Sequence, residues 1–256
     1  MTIRQSQWFS YGGQKSSDFG IINVNMDDGM LEEPFIASRD INEIDIRGRD
    51  KPYYQGQKQK NLVLQVSFAW LDQFDEDKIR QVKRWLCGGY EYYQPLFFSS
   101  NVNKLYYAFV VQDATLVHNA MEQGYVNLTF RTNSPVAYSP VYVTDEYECE
   151  NTLTIEVNNH GDIVTYPEIF ISKPLSTPTQ NIVIKNTSNS KQIDLWDVRE
   201  GEEIYINMEN KFIETNYPLQ RYDDMEGFFW GLEYGINHIQ VTGKCKIRFR
   251  YQCKYL

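Results

Sequence analysis

Three pairs of adjacent carboxylates, Asp27–Asp28, Glu202–Glu203 and Asp223–Asp224, are the first side chains in this sequence that could do acid–base chemistry. Glycoside hydrolysis needs two carboxyl groups about 5–5.5 Å apart for retention, or roughly 6.5–9.5 Å apart for inversion. Sequence neighbours do not set such a distance, and along a strand they point to opposite faces. Solvated surface is therefore the favoured reading of all three pairs. The histidines, His118, His160 and His238, fall in no HxH or HExxH spacing and lie near turns or strand ends. The expectation is a chain with no catalytic residues, no metal site and no cofactor.

Two further stretches have the composition of binding sites. "FFWGLEYG" (228–235) gathers Phe228, Phe229, Trp230 and Tyr234, and exposed aromatics of this sort stack on sugar rings. Phe228, Trp230 and Tyr234 are the glycan-facing candidates. The competing and favoured reading puts Trp230 and half of the group in a core. "RGRDKPYYQGQK" (47–58) interleaves basic and aromatic residues as nucleic-acid sites do. The whole chain argues against that use, since it carries 25 Lys+Arg against 34 Asp+Glu, a net charge of −9. A subunit-contact arm is the better reading.

The elements that would carry these residues are mostly strands. The 256 residues allow one large domain or two of about 100–150 residues. An aromatic share of 15 %, with 19 tyrosines, suits pleated, half-buried surfaces. In "LVLQVSFAW" Leu62, Leu64, Val66, Phe68 and Trp70 alternate onto one face, and in "YVNLTFR" Val126, Leu128 and Phe130 do the same. "LYYAFVV" (105–111) reads as a buried run. One helix stands out in "FDEDKIRQVKRWLCGG". Asp75 is its N-cap, Glu76 and Asp77 suit the dipole, Ile79, Val82 and Leu86 share a side, and Gly88-Gly89 stops it.

Between the first strand and Leu62 lies an irregular stretch, 26–60, which reads as an extended arm or long hairpin. Two Ser-Pro steps and an acidic run at 132–150 mark a junction. The expected division is a domain over 1–135, a linker over 136–150 and a second domain over 151–256. Beyond the junction "TLTIEV", "EIFIS", "NIVIKN", "EEIYINM", "HIQVT" and "KIRFRY" alternate, separated by turn-rich pieces, as in an antiparallel sandwich. Charge divides unevenly too: 1–140 holds 14 basic and 16 acidic residues, 141–256 holds 11 and 18. Cys87, Cys149, Cys245 and Cys253 form no CxxC. On one continuous strand Cys245 and Cys253 would stand about 26 Å apart, so both are expected to be free, buried thiols suited to a reducing cytoplasm. No signal peptide or membrane span is legible.

Three pieces together resemble the distal tail proteins of long-tailed bacteriophages that infect Gram-positive hosts. The first is Phe9-Ser10-Tyr11-Gly12-Gly13 followed by "SSDFGI" (16–21). The second is "IDIRGRD" (44–50), although it continues Lys51-Pro52 where the family pattern has Gly after Gly-Arg-Asp. The third is the ordered series "NNHGDIVTYPEIFI", "NIVIKN", "EEIYINMENKFI" and "GINHIQVTG" ending in a basic aromatic strand. The resemblance implies a mainly β protein: an N-terminal β-sandwich-like domain with one α-helix and an extended arm, then a C-terminal galectin-like antiparallel β-sandwich.

It implies a homohexameric ring at the distal end of the phage tail, part of the virion and assembled in the host cytoplasm. The ring would join the major tail tube protein and tape measure protein to a tail-associated lysin or tail fibre hub protein and to receptor-binding or baseplate proteins. DNA would pass through without specific binding, which an acidic lumen would favour. Phe19, Gly20, Arg47, Gly48, Arg49, Tyr53 and Tyr54 are the subunit-contact candidates. A lectin-like module that contacts the host surface is the alternative.

Overall fold

The computed structural model describes residues 3–24, 33–34, 36–119 and 123–256. They form two compact units that meet between Tyr138 and Ser139 in the sequence. Asp27–Asp28 lie outside the described residues.

The first unit is built on one antiparallel sheet. Its strands are β1 (Phe9–Tyr11), β2 (Gln14–Lys15), β3 (Ile21–Asn23), β6 (Val63–Trp70), β7 (Gln94–Phe98), β8 (Asn101–His118) and β9 (Gly124–Thr132), in the order β2-β1-β7-β8-β9-β6-β3, with β10 (Ala137–Tyr138) set beside β8. A separate hairpin pairs β4 (Arg39–Ile44) with β5 (Tyr53–Gln59).

The opening stretch supplies both ends of the sheet. Gly12 and Gly13, at φ +58° and +83°, make the two-residue turn from β1 to β2, which only residues free to adopt positive φ make easily. A 3₁₀ turn over Ser16–Phe19 follows, ended by Gly20 at φ +67°, and the chain then enters β3. Asp18 accepts from the Lys15 N–H (3.2 Å), and Ser16 Oγ accepts from the Phe9 N–H (3.1 Å). Six residue steps reach at most about 22 Å, whereas seven strands laid flat would span roughly 29 Å. The sheet must curl to bring its ends together. The Asn23 N–H to Gln7 O bond (2.9 Å) closes the gap.

The curled sheet encloses an aromatic core. Leu64, Val66 and Phe68 of β6 and Val126, Leu128 and Phe130 of β9 face inward, as the alternation predicts. The 105–111 run differs: Tyr106 and Ala108 are buried, but Tyr107 and Phe109 are half-exposed on the other face, where Phe109 packs on Tyr93 at 4.6 Å.

The helix α1 (Glu76–Cys87) caps the core. Its Trp85, rather than the half-buried Ile79, is the anchor. Trp85 stacks on Phe9 (5.4 Å) and on Phe19 (4.5 Å) and donates from Nε1 to Tyr11 O (2.8 Å). The Asp75 carboxylate accepts from the Lys78 N–H at 2.8 Å. Asp75→Ala is expected to lower the stability of this unit by about 1 kcal/mol, read as a small fall in its thermal midpoint, with Asp75→Asn close to neutral.

The second unit is a two-sheet antiparallel sandwich. One sheet joins β14 (Glu168–Ser172), β17 (Glu203–Asn207), β18 (Phe212–Thr215) and β21 (Cys245–Tyr251), with β11 (Tyr142–Val143) and β12 (Tyr147–Cys149) both paired to β21. The other runs β13-β20-β15-β16-β19, from β13 (Thr152–Asn159), β20 (Gly235–Thr242), β15 (Gln180–Asn186), β16 (Lys191–Val198) and β19 (Met225–Gly227). Isoleucines from both sheets fill the space between them. All six alternating runs of the second half are strands.

Residues 136–150 are not a linker. Short apolar pairs there complete ladders that would otherwise end in unpaired backbone, and three strands come from them. β21 stops at Tyr251, so Cys245 and Cys253 do not share one continuous strand; Cys149, Cys245 and Cys253 are buried and all four cysteines are free. No helix among the described residues is long and apolar enough to cross a membrane.

Candidate functional site

The β4–β5 hairpin is the segment least explained by its own unit. It forms because residues of β4 and β5 can pair along an extended ladder, Ile41 with Gln57, Glu43 with Tyr54 and Ile44 with Tyr53. The register shifts by one between Asn42 and Glu43, opposite Gly56 at φ +136°, which gives the pair a bulge and added twist. At the tip the Arg49 N–H bonds Ile46 O (3.0 Å), with Gly48 at φ +88° in the third position of the turn. Lys51, after Gly48-Arg49-Asp50, is not among the residues at positive φ, so its side chain stores no backbone strain. The Arg49 guanidinium lies 4.2 Å from the Tyr53 ring centroid.

Almost every residue of this hairpin is exposed. Ile41 and Tyr54 are 61 % and 63 % accessible, and Ile44, Ile46 and Tyr53 are exposed as well. Ile41 and Ile44 lie on opposite faces of β4, so both faces of the ribbon carry apolar groups to solvent. A lone two-stranded hairpin is marginal in water, and unpaired edges with exposed apolar side chains favour further pairing. Residues 39–60 also hold six Lys/Arg against four Asp/Glu, a net +2 on a chain of net −9.

Of the contact candidates, Arg47, Gly48, Arg49, Tyr53 and Tyr54 come together on this hairpin. Phe19 and Gly20 belong to the 3₁₀ turn instead. Phe19 is half-buried against Trp85, and Gly20 caps the turn.

The aromatic group at 228–235 divides. Phe228 and Tyr234 are exposed, but Trp230 is completely buried in the sandwich core. Trp230 is therefore withdrawn as a glycan-facing residue. Its chain segment is tied inward by buried Asn186, whose Nδ2 donates to Gly231 O (3.2 Å). "NNHGD" is a turn, as expected: the buried Asn159 side chain accepts from the Gly161 N–H (2.9 Å) and donates to Ile163 O (3.0 Å). His118, His160 and His238 are all exposed. Among the described residues no group of three His, Cys, Asp or Glu is placed to hold a metal ion.

One charged constellation departs from the surface reading. Glu202 is completely buried while its neighbour Glu203 is exposed. Arg221, also buried, donates from Nε to Glu202 Oε1 (2.7 Å), and a second guanidinium nitrogen bonds Oε2. Arg221 also donates to Trp196 O (2.7 Å), and Thr215 Oγ1 and the Arg199 N–H donate to the carboxylate (2.6 and 3.0 Å). Burial alone would push the Glu202 carboxyl up. Hydrogen bonds from Arg221, Arg199 and Thr215, with the Arg221 charge, outweigh it and hold the pKa below its ordinary value. The sequence signal was phase: Glu202 alternates with Ile204, Ile206 and Met208, all buried. This cluster is a structural tie, since the charged ends of Glu202 and Arg221 are both completely buried and bonded to one another.

Comparison with known proteins agrees with this picture. A profile described as a phage tail protein N-terminal domain matches residues 4–134, and one described as a phage tail C-terminal domain matches residues 137–251. The chain belongs to this family of phage tail proteins. An SPbeta prophage-derived uncharacterized protein, YomH, of Bacillus subtilis (strain 168) is 32 % identical over 257 positions, covering 99 % of this chain and 100 % of the relative. The fold is that of the Dit protein of phage SPP1, described as a paradigm of the hub of the adsorption apparatus in phages that infect Gram-positive bacteria. The TM-score is 0.71 at 18 % identity, over 97 % of this chain and 99 % of that one.

Proposed function

We propose that this phage tail protein is the tail-tip hub, a closed ring of six copies in which the β4–β5 arm of each copy lies on the next. The observation that carries the reading is the arm itself. It is a ribbon with exposed isoleucines and tyrosines on both faces and a net positive charge, on an otherwise acidic chain. Charge complementarity then favours a second copy of the same chain as the surface that covers it. A head-to-tail contact between an arm and a different patch generates a ring when the rotation closes.

In this reading the ring seats on the major tail tube protein, with the tape measure protein passing to it. A tail-associated lysin or fibre hub protein and receptor-binding or baseplate proteins attach to it. DNA crosses the ring without specific contacts, and the protein is a distal component of the virion, assembled in the host cytoplasm. The fold shared with the SPP1 protein supports the reading. The test is the solution mass of the full chain by sedimentation and light scattering, alone and with the tail tube protein of the same phage. A sixfold mass is expected. A chain that stays monomeric in both conditions overturns it.

A further inference from the structure

The sandwich sheet that contains β14, β17, β18 and β21 has an outer face with unused binding groups. The strand registers align Arg248, Phe170, Tyr205 and Glu214 in one row across four strands. The Phe170 and Tyr205 rings stand 5.1 Å apart, and the Phe212 ring continues the line 6.4 Å from Tyr205. The Arg248 guanidinium lies 4.7 Å from the Phe170 centroid, and Asn207 Nδ2 donates to the Tyr205 hydroxyl (3.2 Å), so both rings are braced. Beside this row runs a second, Lys246, Ser172 and Glu203 in that order, and Lys246 is engaged by Glu148 (2.7 Å). A trough of about 490 Å³ crosses the sheet over these two rows.

The charges divide in an informative way. Lys246, which lines the trough, is neutralised by Glu148 (2.7 Å) and Glu146 (3.6 Å), and outside it Arg250 pairs with Glu168 (3.3 Å). Inside the trough Arg248, Glu203 and Glu214 have no ion-pair partner among the described residues, so one donor fork and two carboxylates face the cleft beside an aromatic floor. Two free carboxylates against one guanidinium repel a phosphate polymer or other anion. The aromatic row is too interrupted by charge to take an apolar helix. The Phe170 and Tyr205 rings are tilted 43° to one another and Arg248 lies over Phe170, so Tyr205 offers the ring for the C–H face of an uncharged pyranose, whose vicinal hydroxyls can bond the neighbouring carboxylates and guanidinium bidentately.

We propose that this trough is a binding site for neutral saccharides. It is distinct from the 228–235 segment and does not rest on ring formation.

The experiment is calorimetric titration and saturation-transfer NMR of the full chain with four neutral trisaccharides: maltotriose, cellotriose, N,N′,N″-triacetylchitotriose and a galactotriose. At least one is expected to bind saturably in the millimolar range or tighter. Tyr205→Ala and Arg248→Gln, both outward-facing, should weaken it by about tenfold or more with the thermal midpoint retained. Ile236→Ala, an exposed apolar residue on the other sheet of the same unit, should leave the affinity unchanged. No saturation by any of the four up to about 10 mM overturns the proposal, as does binding that neither trough variant weakens. If Tyr205→Ala is unstable, Arg248→Gln alone decides. The solution mass is unaffected by either outcome.

Discussion

Replacing Arg221 by methionine, or Glu202 by glutamine, is expected to destabilise the second unit by about 3–5 kcal/mol, a fall in its thermal midpoint on the order of 10 °C or more. Both side chains are fully buried, two guanidinium nitrogens bond the carboxylate, and Thr215 and the Arg199 N–H complete its hydrogen bonding. Arg221 also ties the irregular 216–224 segment to the Trp196 carbonyl of β16. Loss of Arg221 leaves the buried Glu202 carboxylate without its paired guanidinium, and loss of the Glu202 charge leaves Arg221 only the half-exposed Asp224 carboxylate at 3.7 Å, and a weakly compensated buried charge is the expensive outcome. The double variant Glu202→Leu with Arg221→Met removes both charges and is expected to recover a large part of the loss.

The pH dependence has a definite sign. The Glu202 carboxyl titrates below its ordinary value in the folded chain. Its contribution is therefore complete above the unfolded-state value of about 4.3 and is lost as pH falls through the lower folded value. Wild-type midpoints should drop in that acid window, and Glu202→Gln should show a shallower drop there. Thermal unfolding followed by calorimetry at neutral pH and through the acid range checks both. Near-equal stability of the single variants and wild type would mean the pair is not desolvated as described.

That cluster also marks where sequence stopped being readable. Alternation is a local signal, and it located β6, β9, β13 and β21 because each buries one face against a core. The same signal put Glu202 in phase with Ile204 and Ile206, but a carboxylate at an inward position has meaning only with its partner. Arg221 comes from a segment with no periodicity, so nothing local announces it. Trp230 lies in a similar irregular stretch, and its burial is decided by long-range bonds that pull the chain inward, from Asn186 and Asn189 to Gly231 O, from Asn159 to Leu232 O and between Leu232 and Thr165.

The 136–150 stretch looked like a linker because its strands are two or three residues long, below the length at which a pattern repeats. The helix was legible to its cap because Asp75 and the glycines act within one turn. Curling of the first sheet was not, since it follows from pairing between distant strands. The arm was legible in composition, as a polar basic stretch with isolated apolar residues and turn glycines, although its bulge was not.

Ile41→Asp combined with Tyr54→Asp is expected to weaken self-association by about 2 kcal/mol or more, some thirtyfold, while leaving the chain's own stability within about 0.5 kcal/mol. The two effects separate because both side chains are mostly exposed within their own unit. Whatever they contribute must come from a surface outside it. Arg47→Glu with Arg49→Glu tests the other half of the argument. Reversing two of the arm's positive charges against an acidic partner should slow association, and the deficit should shrink as salt is raised. An apolar contact broken by the aspartates would persist at every salt concentration. Sedimentation across a salt series, with melting curves of each variant, distinguishes them. Retained assembly in both variants would remove the arm from the subunit contact, and assembly lost together with stability would make the hairpin part of its own unit's fold.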